Sequence, residues 1–380
     1  MKRKIQFIPF ILLLLLLPGR TTAQYNDNAV FQVKGLSIEV PRPKDVDRFV
    51  KFIGDELAPR GVNTLFLLEA LNYKFRSYPQ LADSLALTTS EVKKIVSACK
   101  KYKIRIIPQI NLLGHQSWGT NVGILLKTFP EFDETPHIKV EDARKVSPAE
   151  GGLYCKSYCP LHPDLHKVLF AVIDEICDVY EADAFHGGMD EVFYIGDDRC
   201  PRCRGYDKAQ LFADEVRRIY DHLKSKNREL WIWGDRLIDG RTTGYGIWEA
   251  SFNSTYRAVD LIPKDVVICD WHYERPDQSA VYFAMKGFRV VTCPWRTPST
   301  AIIQTDDMAR WRKYATPEMK PRYYGMVATT WMDNGSFIDG FQGNLTETAK
   351  RSVHPKNPAY TPWDTFRAMF QRMNELEKEK

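Results

Sequence analysis

Asp190 and Glu191 stand side by side after Phe185-His186-Gly187-Gly188-Met189. Adjacent carboxylates push their titrations apart, so one can stay ionised while the other keeps a proton near neutral pH. That division suits cleavage of a glycosidic bond, where an acid protonates the leaving oxygen and an anion stabilises the developing cation. Acidic pairs also occur at exposed helix starts, where they only complement the dipole. Here the pair follows an apolar run ending in glycines.

Other chemically capable residues occupy similar places, each just after a short apolar run. They are Arg42, His115, Trp233, Asp235, Trp271, Tyr273, Trp295, Trp331 and Asp333. Aromatic faces match the C–H faces of a pyranose ring, and Arg and carboxylate groups match its hydroxyls. These ten-odd positions are therefore read as one sugar-binding pocket, with His115 or His186 placed to hydrogen-bond the acidic pair. Bland roles compete. Trp233, Trp271 and Trp331 could fill a core, Asp235 could cap a loop, and Arg42 could be a surface arginine after a proline turn.

One pocket requires elements whose ends converge. Eight short apolar runs read as strands, at Gly35–Val40, Val62–Glu69, Ile104–Ile110, Ala182–Gly188, Glu229–Gly234, Asp265–Trp271, Gly287–Cys293 and Gly325–Trp331. Helical patterns separate several of them, at Val46–Leu57, from Ser90, at Pro163–Tyr180 and at Lys208–Lys226. Thr88-Thr89-Ser90-Glu91 supplies an N-cap, and residues 165–179 carry an apolar stripe of helical period. Apolar strands alternating with helices predict a parallel sheet, and eight of them a closed (β/α)8 TIM barrel. A single domain over residues 30–375 is expected, with long insertions at 115–160 and 192–207 following strand ends, where barrels build their sites. The tail Asn374–Lys380 reads as a frayed, solvated helix end.

Composition sets the surroundings. Lys2, Arg3 and Lys4 precede the apolar run 8–17, and Thr21-Thr22-Ala23 offers small residues for cleavage, so residues 1–23 read as a signal peptide. The mature chain is expected to be exported, periplasmic or extracellular, without a membrane span. The formal charge is +5, with 53 basic and 48 acidic residues. Four of the basic ones lie in the signal segment, so no phosphate-tracking surface remains and nucleic acid is not expected as a partner. With 44% hydrophobic residues the chain can bury a large core.

The eight cysteines divide by context. Cys99, Cys177, Cys269 and Cys293 lie within apolar patterns and read as packed thiols. Cys155, Cys159, Cys200 and Cys203 lie in polar loops as C-x3-C and C-P-x-C. A structural zinc held by these four thiolates and a pair of disulfides are both chemically reasonable in an exported chain.

The segment 185–192 resembles the signature of glycoside hydrolase family 20, the β-N-acetylhexosaminidases, which runs F-H-x-G-G-D-E-V, with Met189 at the second glycine. Lys34-Gly35 through Arg42 looks like that family's first strand, R-G-x-x-x-D-x-x-R. Residues 107–115 look like I-P-E-I-D-x-P-G-H, and Trp331-Met332-Asp333 looks like its W-x-E. The resemblance spans roughly residues 34 to 335. It implies a retaining exo-acting enzyme that releases terminal N-acetylglucosamine or N-acetylgalactosamine from glycans with no catalytic cofactor. The substrate's own 2-acetamido oxygen would attack the anomeric carbon, Glu191 would act as acid and then base, and Asp190 would hold the acetamido N–H. Arg42 would grip sugar hydroxyls. Glu39 and Asn111 depart from the family's aspartates, and Pro294-Trp295 stands where many relatives carry a tyrosine on the acetamido group. The small α/β domain that commonly precedes this barrel is not expected, because the first strand follows the cleavage site closely.

Two other functions compete. Glu249 could serve as a protein nucleophile for a sugar lacking an acetamido group, although it follows strand five and not a later one. A catalytically silent glycan-binding protein is the alternative outside enzymes.

Overall fold

A computed structural model describes residues 29–118, 121–140 and 155–379. The expected signal segment 1–23 lies outside the described residues, as does part of the insertion at 115–160. Eight parallel strands close into a barrel, β1 (Val33–Glu39), β2 (Thr64–Leu68), β3 (Arg105–Leu112), β4 (Ala184–Gly188), β5 (Glu229–Trp233), β6 (Val267–Asp270), β7 (Arg289–Thr292) and β8 (Tyr323–Thr329). Each pairs with its sequence neighbours, and β1 closes the ring on β8 through Val33↔Gly325 to Ser37↔Thr329. This is the (β/α)8 TIM barrel expected from the alternation of runs.

The period-two rule sorts the side chains. Leu65 and Leu67 of β2 join the cluster under the helices, whereas Phe66 joins an inner cluster with Ile107, Trp231 and Val291. The outer layer includes α1 (Val46–Phe52), α2 (Thr89–Lys101), α3 (Leu165–Val179), α4 (Lys208–Ser225), α5 (Ser279–Met285), α6 (Pro298–Tyr314), α7 (Asn334–Phe341) and α8 (Pro362–Lys378). Thr88 and Glu91 form a reciprocal capping box at the start of α2, as T-T-S-E anticipated. The stripe on α3 is buried through Leu165, Val168, Leu169, Val172, Ile173 and Ile176.

Several boundaries moved. The helix expected over 46–57 widens into a π turn at Ile53–Leu57. Between β5 and β6 the connection carries a 3-10 helix at Thr255–Asp260 in place of a full α-helix. The last strand ends at Thr329, and Trp331, at φ +48°, turns the chain out of the ladder. The tail is less frayed than expected. α8 continues to Lys378, and Glu377 pairs with Lys34 of β1 at 2.9 Å. Cys99, Cys177, Cys269 and Cys293 are buried thiols, as their apolar context required.

Candidate active site

The exits of β3, β4 and β5 bring the acidic pair to the C-terminal mouth of the barrel. After β4 the backbone turns sharply, with Gly188, Met189 and Glu191 all in the left-handed region at φ +65°, +69° and +49°. A Cβ on Gly188 would meet Asn111 Oδ1 at 2.7 Å, so only glycine fits there. Met189, at the second glycine of the resembled signature, occupies a conformation that costs an ordinary residue about 1–2 kcal/mol. Its side chain is fully buried, which offsets that cost. Gly114 works similarly, since a Cβ would lie 2.7 Å from the Asp190 carbonyl oxygen. The chain after β3 can thus pass directly against the acidic pair and present His115.

His115 Nε2 lies 3.1 Å from Asp190 Oδ2 and 3.4 Å from Glu191 Oε2. Burial opposes its charge, yet Asp190, Cys155 and hydrogen bonds to both acids hold His115 well above the ordinary histidine value. The two carboxyls then separate. Burial pushes Asp190 up, but the His115 cation outweighs it and leaves Asp190 below the usual range. Burial is the largest influence on Glu191 too, and there it prevails over His115, so Glu191 holds its proton to higher pH. The two carboxyls are thus shifted in opposite directions, Asp190 down and Glu191 up, as adjacent acid and anion roles require.

The remaining sequence-predicted residues separate into two groups. Tyr273, Trp295, Trp331 and Arg42 are partly exposed at the barrel mouth, and Asp333 is exposed. Trp331 Nε1 donates to Tyr273 Oη at 2.7 Å, and Tyr273 stacks on Trp271 with centroids 5.0 Å apart. Trp295 is fixed by donation from Nε1 to the Thr330 carbonyl at 3.0 Å, and Arg296 lies over its ring. Arg42 is tied to Asn72 and Asp83, each at 3.2 Å. Asp333 caps α7 by accepting from Ser336 N–H at 2.9 Å, and its charge helps burial raise Glu39.

His186, Trp233 and Asp235 belong to the protein interior, a correction to their reading as sugar contacts. His186 is fully buried and tilted against Phe66 and Trp233, and its Nδ1 accepts from Gly188 N–H at 3.0 Å. Burial depresses it to about 3, so it is neutral and makes no hydrogen bond to the acidic pair. Trp233 is fully buried between His186 and Trp331 and supports the floor. Asp235 Oδ2 accepts from Glu191 N–H at 2.9 Å and from Arg236 Nε at 2.6 Å, and Oδ1 accepts from Trp271 Nε1 at 3.3 Å. Its oxygens are therefore turned to the backbone that carries the acid. Trp271, only 7% exposed, joins this support from one edge while its face meets Tyr273.

Glu249, the alternative nucleophile, engages His272 Nδ1 at 3.1 Å and Arg275 Nη2 at 3.4 Å, a separate cluster that keeps its carboxyl low against the effect of burial. The loop cysteines also depart from expectation. Cys155 does not join the other three. Its Sγ lies 3.5 Å from the Glu191 carbonyl oxygen, and Glu134 takes the fourth place beside Cys159, Cys200 and Cys203. The C-x3-C spacing suggested a pair, but the chain passes Cys155 and Cys159 to different neighbours.

Sequence reasoning missed Arg236, Glu134 and Trp118. Arg236 sits next to a recognised residue and lacks a pattern of its own. Trp118, 62% exposed, stacks near His115 with ring centroids 6.0 Å apart.

The catalytic-domain model of glycosyl hydrolase family 20 matches residues 69–357. The chain belongs to glycosyl hydrolase family 20. Among curated relatives, β-hexosaminidase subunit A2 of Dictyostelium discoideum is 26% identical over 242 residues, covering 58% of this chain and 40% of that protein. Lacto-N-biosidase of Bifidobacterium bifidum is 23% identical over 209 residues, covering 51% of this chain and 16% of that protein. The chain thus spans less than half the length of these relatives. Among solved structures, the chitobiase of Flavobacterium johnsoniae superimposes with a TM-score of 0.59 at 19% identity, over 91% of this chain and 52% of that one. The β-N-acetylhexosaminidase of Bacteroides fragilis gives 0.55 at 20% identity, over 88% and 66%. These likenesses establish the fold as that of family 20 barrels.

Proposed function

We propose that this family 20 chain is a retaining exo-β-N-acetylhexosaminidase that works by substrate assistance. The observation that carries the reading is His115 shared between Asp190 and Glu191, at 3.1 and 3.4 Å, with Asp190 held below and Glu191 above the usual carboxylate range. A terminal sugar enters against the aromatic groups at the mouth. Its acetamido carbonyl oxygen attacks the anomeric carbon as the glycosidic bond breaks, and Glu191 gives its proton to the leaving oxygen. Asp190 accepts the acetamido N–H and stabilises the positive charge on the oxazolinium ring. Glu191, now ionised, takes a proton from water as that water attacks the same carbon, and the sugar leaves with retained configuration. Tyr273 accepts from Trp331 through its oxygen, which leaves its own O–H free to donate to the acetamido oxygen. That would replace the tyrosine missing at Pro294-Trp295.

Exported placement after cleavage at Ala23 is part of the same proposal, supported by the basic start and apolar run of residues 1–23. Among the described residues, no helix is long and apolar enough to cross a membrane.

The deciding experiment compares 4-nitrophenyl β-glycosides with and without the 2-acetamido group. The expected outcome is release only from the acetamido substrates, with kcat lowered about 10²- to 10⁴-fold in Glu191→Gln. Equal release from the plain glycosides would overturn substrate assistance and bring Glu249 forward. No release from any glycoside, glycans included, with sugar binding retained, would favour a binding protein.

A further inference from the structure

Behind the acidic pair, two long loops meet at a second cluster. The sulfurs of Cys159, Cys200 and Cys203 and a carboxylate oxygen of Glu134 all lie within 4.8 Å of one another. All four residues are buried, Glu134 completely. Cys159 Sγ is 3.1 Å from Cys203 Sγ and 3.6 Å from Cys200 Sγ. Thiolates bound to one tetrahedral zinc at about 2.3 Å stand about 3.8 Å apart, whereas disulfide sulfurs are about 2.0 Å apart. Three sulfurs in mutual reach are also one more than a disulfide can use.

A further observation points to a cation at the centre. Glu134 Oε1 accepts from Asp197 N–H at 2.9 Å, but its buried Oε2 has no hydrogen-bond partner. A buried carboxylate oxygen left without a donor is unfavourable unless a positive charge faces it.

We propose that Glu134, Cys159, Cys200 and Cys203 hold a structural zinc ion. Three thiolates and one carboxylate close a tetrahedron with no open position, and a sulfur-rich set selects zinc over magnesium or calcium. Binding displaces the thiol protons to solvent, so retention weakens as pH falls. The ion clamps the loop after β3, which supplies Glu134 and Cys159, to the loop after β4, which supplies Cys200 and Cys203. Both loops lie against the acid. Cys155, four residues before Cys159, touches the Glu191 carbonyl, and the second loop continues directly from Glu191. The clamp therefore positions Glu191 without taking part in chemistry.

The test is metal analysis of the full chain purified without chelator or added metal, paired with a count of titratable thiols under denaturing conditions. One zinc per chain is expected, retained in Cys155→Ser and lost in Cys200→Ser and Cys203→Ser. Glu134→Gln is expected to give up its zinc more readily to a competing chelator. A metal-free protein with all its thiols free would overturn the proposal. So would a metal-free protein with two thiols fewer, which would mark a disulfide. Zinc lost in Cys155→Ser and kept in Glu134→Gln would overturn the ligand set. Should the cysteine variants fail to fold, cobalt exchanged into the wild-type protein decides, since thiolate-to-cobalt charge-transfer absorption is expected and its absence would refute the site.

Discussion

His115 sets the electrostatics at the scale of single residues. It faces both acids through one nitrogen, and its cation works against burial at each of them. In the proposed mechanism Asp190 is ionised and Glu191 protonated for turnover, so activity should rise with pH through the lowered Asp190 value and fall through the raised Glu191 value. His115→Phe removes the cation that lowers both carboxyls. Both limbs of the kcat/KM profile should therefore move to higher pH, by about one unit or more, with a lower plateau. Limbs that stay in place would assign the division of the pair to burial alone. The choice of Asp190 and Glu191 could be made from type and order, because few other adjacent acids follow a glycine-ended apolar run. The role of His115 needed distances, since a histidine after a glycine has the same appearance whether it touches an acid or not.

Between elements, the exits of β4, β5 and β6 are locked by Asp235 and Arg236. Asp235 receives Glu191 N–H, Trp271 Nε1 and Arg236 Nε. Arg236 Nη2 also donates to the carbonyls of Ile247, Trp248 and Ala250 at 2.8, 3.0 and 2.8 Å. Arg236→Met would leave the Asp235 carboxyl buried without its cation and three carbonyls without donors. A loss of about 3–5 kcal/mol in urea unfolding is expected, because breaking a buried pair from one side strands the other charge. A loss below about 1 kcal/mol would show that the loop at 247–250 holds without it. Asp235 was recognisable in the sequence as a strand-end acid, but its direction was not, because a residue at a strand exit can face the mouth or the next loop equally well.

At the scale of the molecule, an ion-pair network at the N-terminal end of the barrel lies remote from the acidic pair. At the N-terminal end, Glu229 accepts from Arg105 at 2.7 Å and from Arg289 at 2.6 Å, and Arg105 also reaches Asp183 at 2.7 Å. Burial raises the Glu229 carboxyl, but the two guanidinium groups outweigh it and hold it low. A lowered carboxyl contributes stability above its unfolded value, about 4.5, and that contribution is lost as pH falls through the folded value. Glu229→Gln should destabilise the fold by about 2 kcal/mol at pH 7, discounted for partial exposure, and less at pH 4. Its kcat at pH 7 should match wild type, because the acidic pair lies beyond the opposite ends of the strands. An equal stability loss at both pH values would assign the effect to packing.

The sequence by itself determined the strand and helix rhythm, because pleat and helix impose periods of 2 and 3.6 on apolar residues. It also singled out the acidic pair as the candidate for chemistry, because residue types and order are local properties. Only the tertiary structure decided which strand-end residues share a pocket and which sit below it. His186 and Trp233 alternate into the barrel interior at β4 and β5, and no local signal distinguishes a mouth from a floor. The loop cysteines make the same point across longer distances. Cys155 and Cys159 are four positions apart, yet one meets Glu191 and the other meets Glu134, Cys200 and Cys203, because packing between loops is decided by partners remote in the chain.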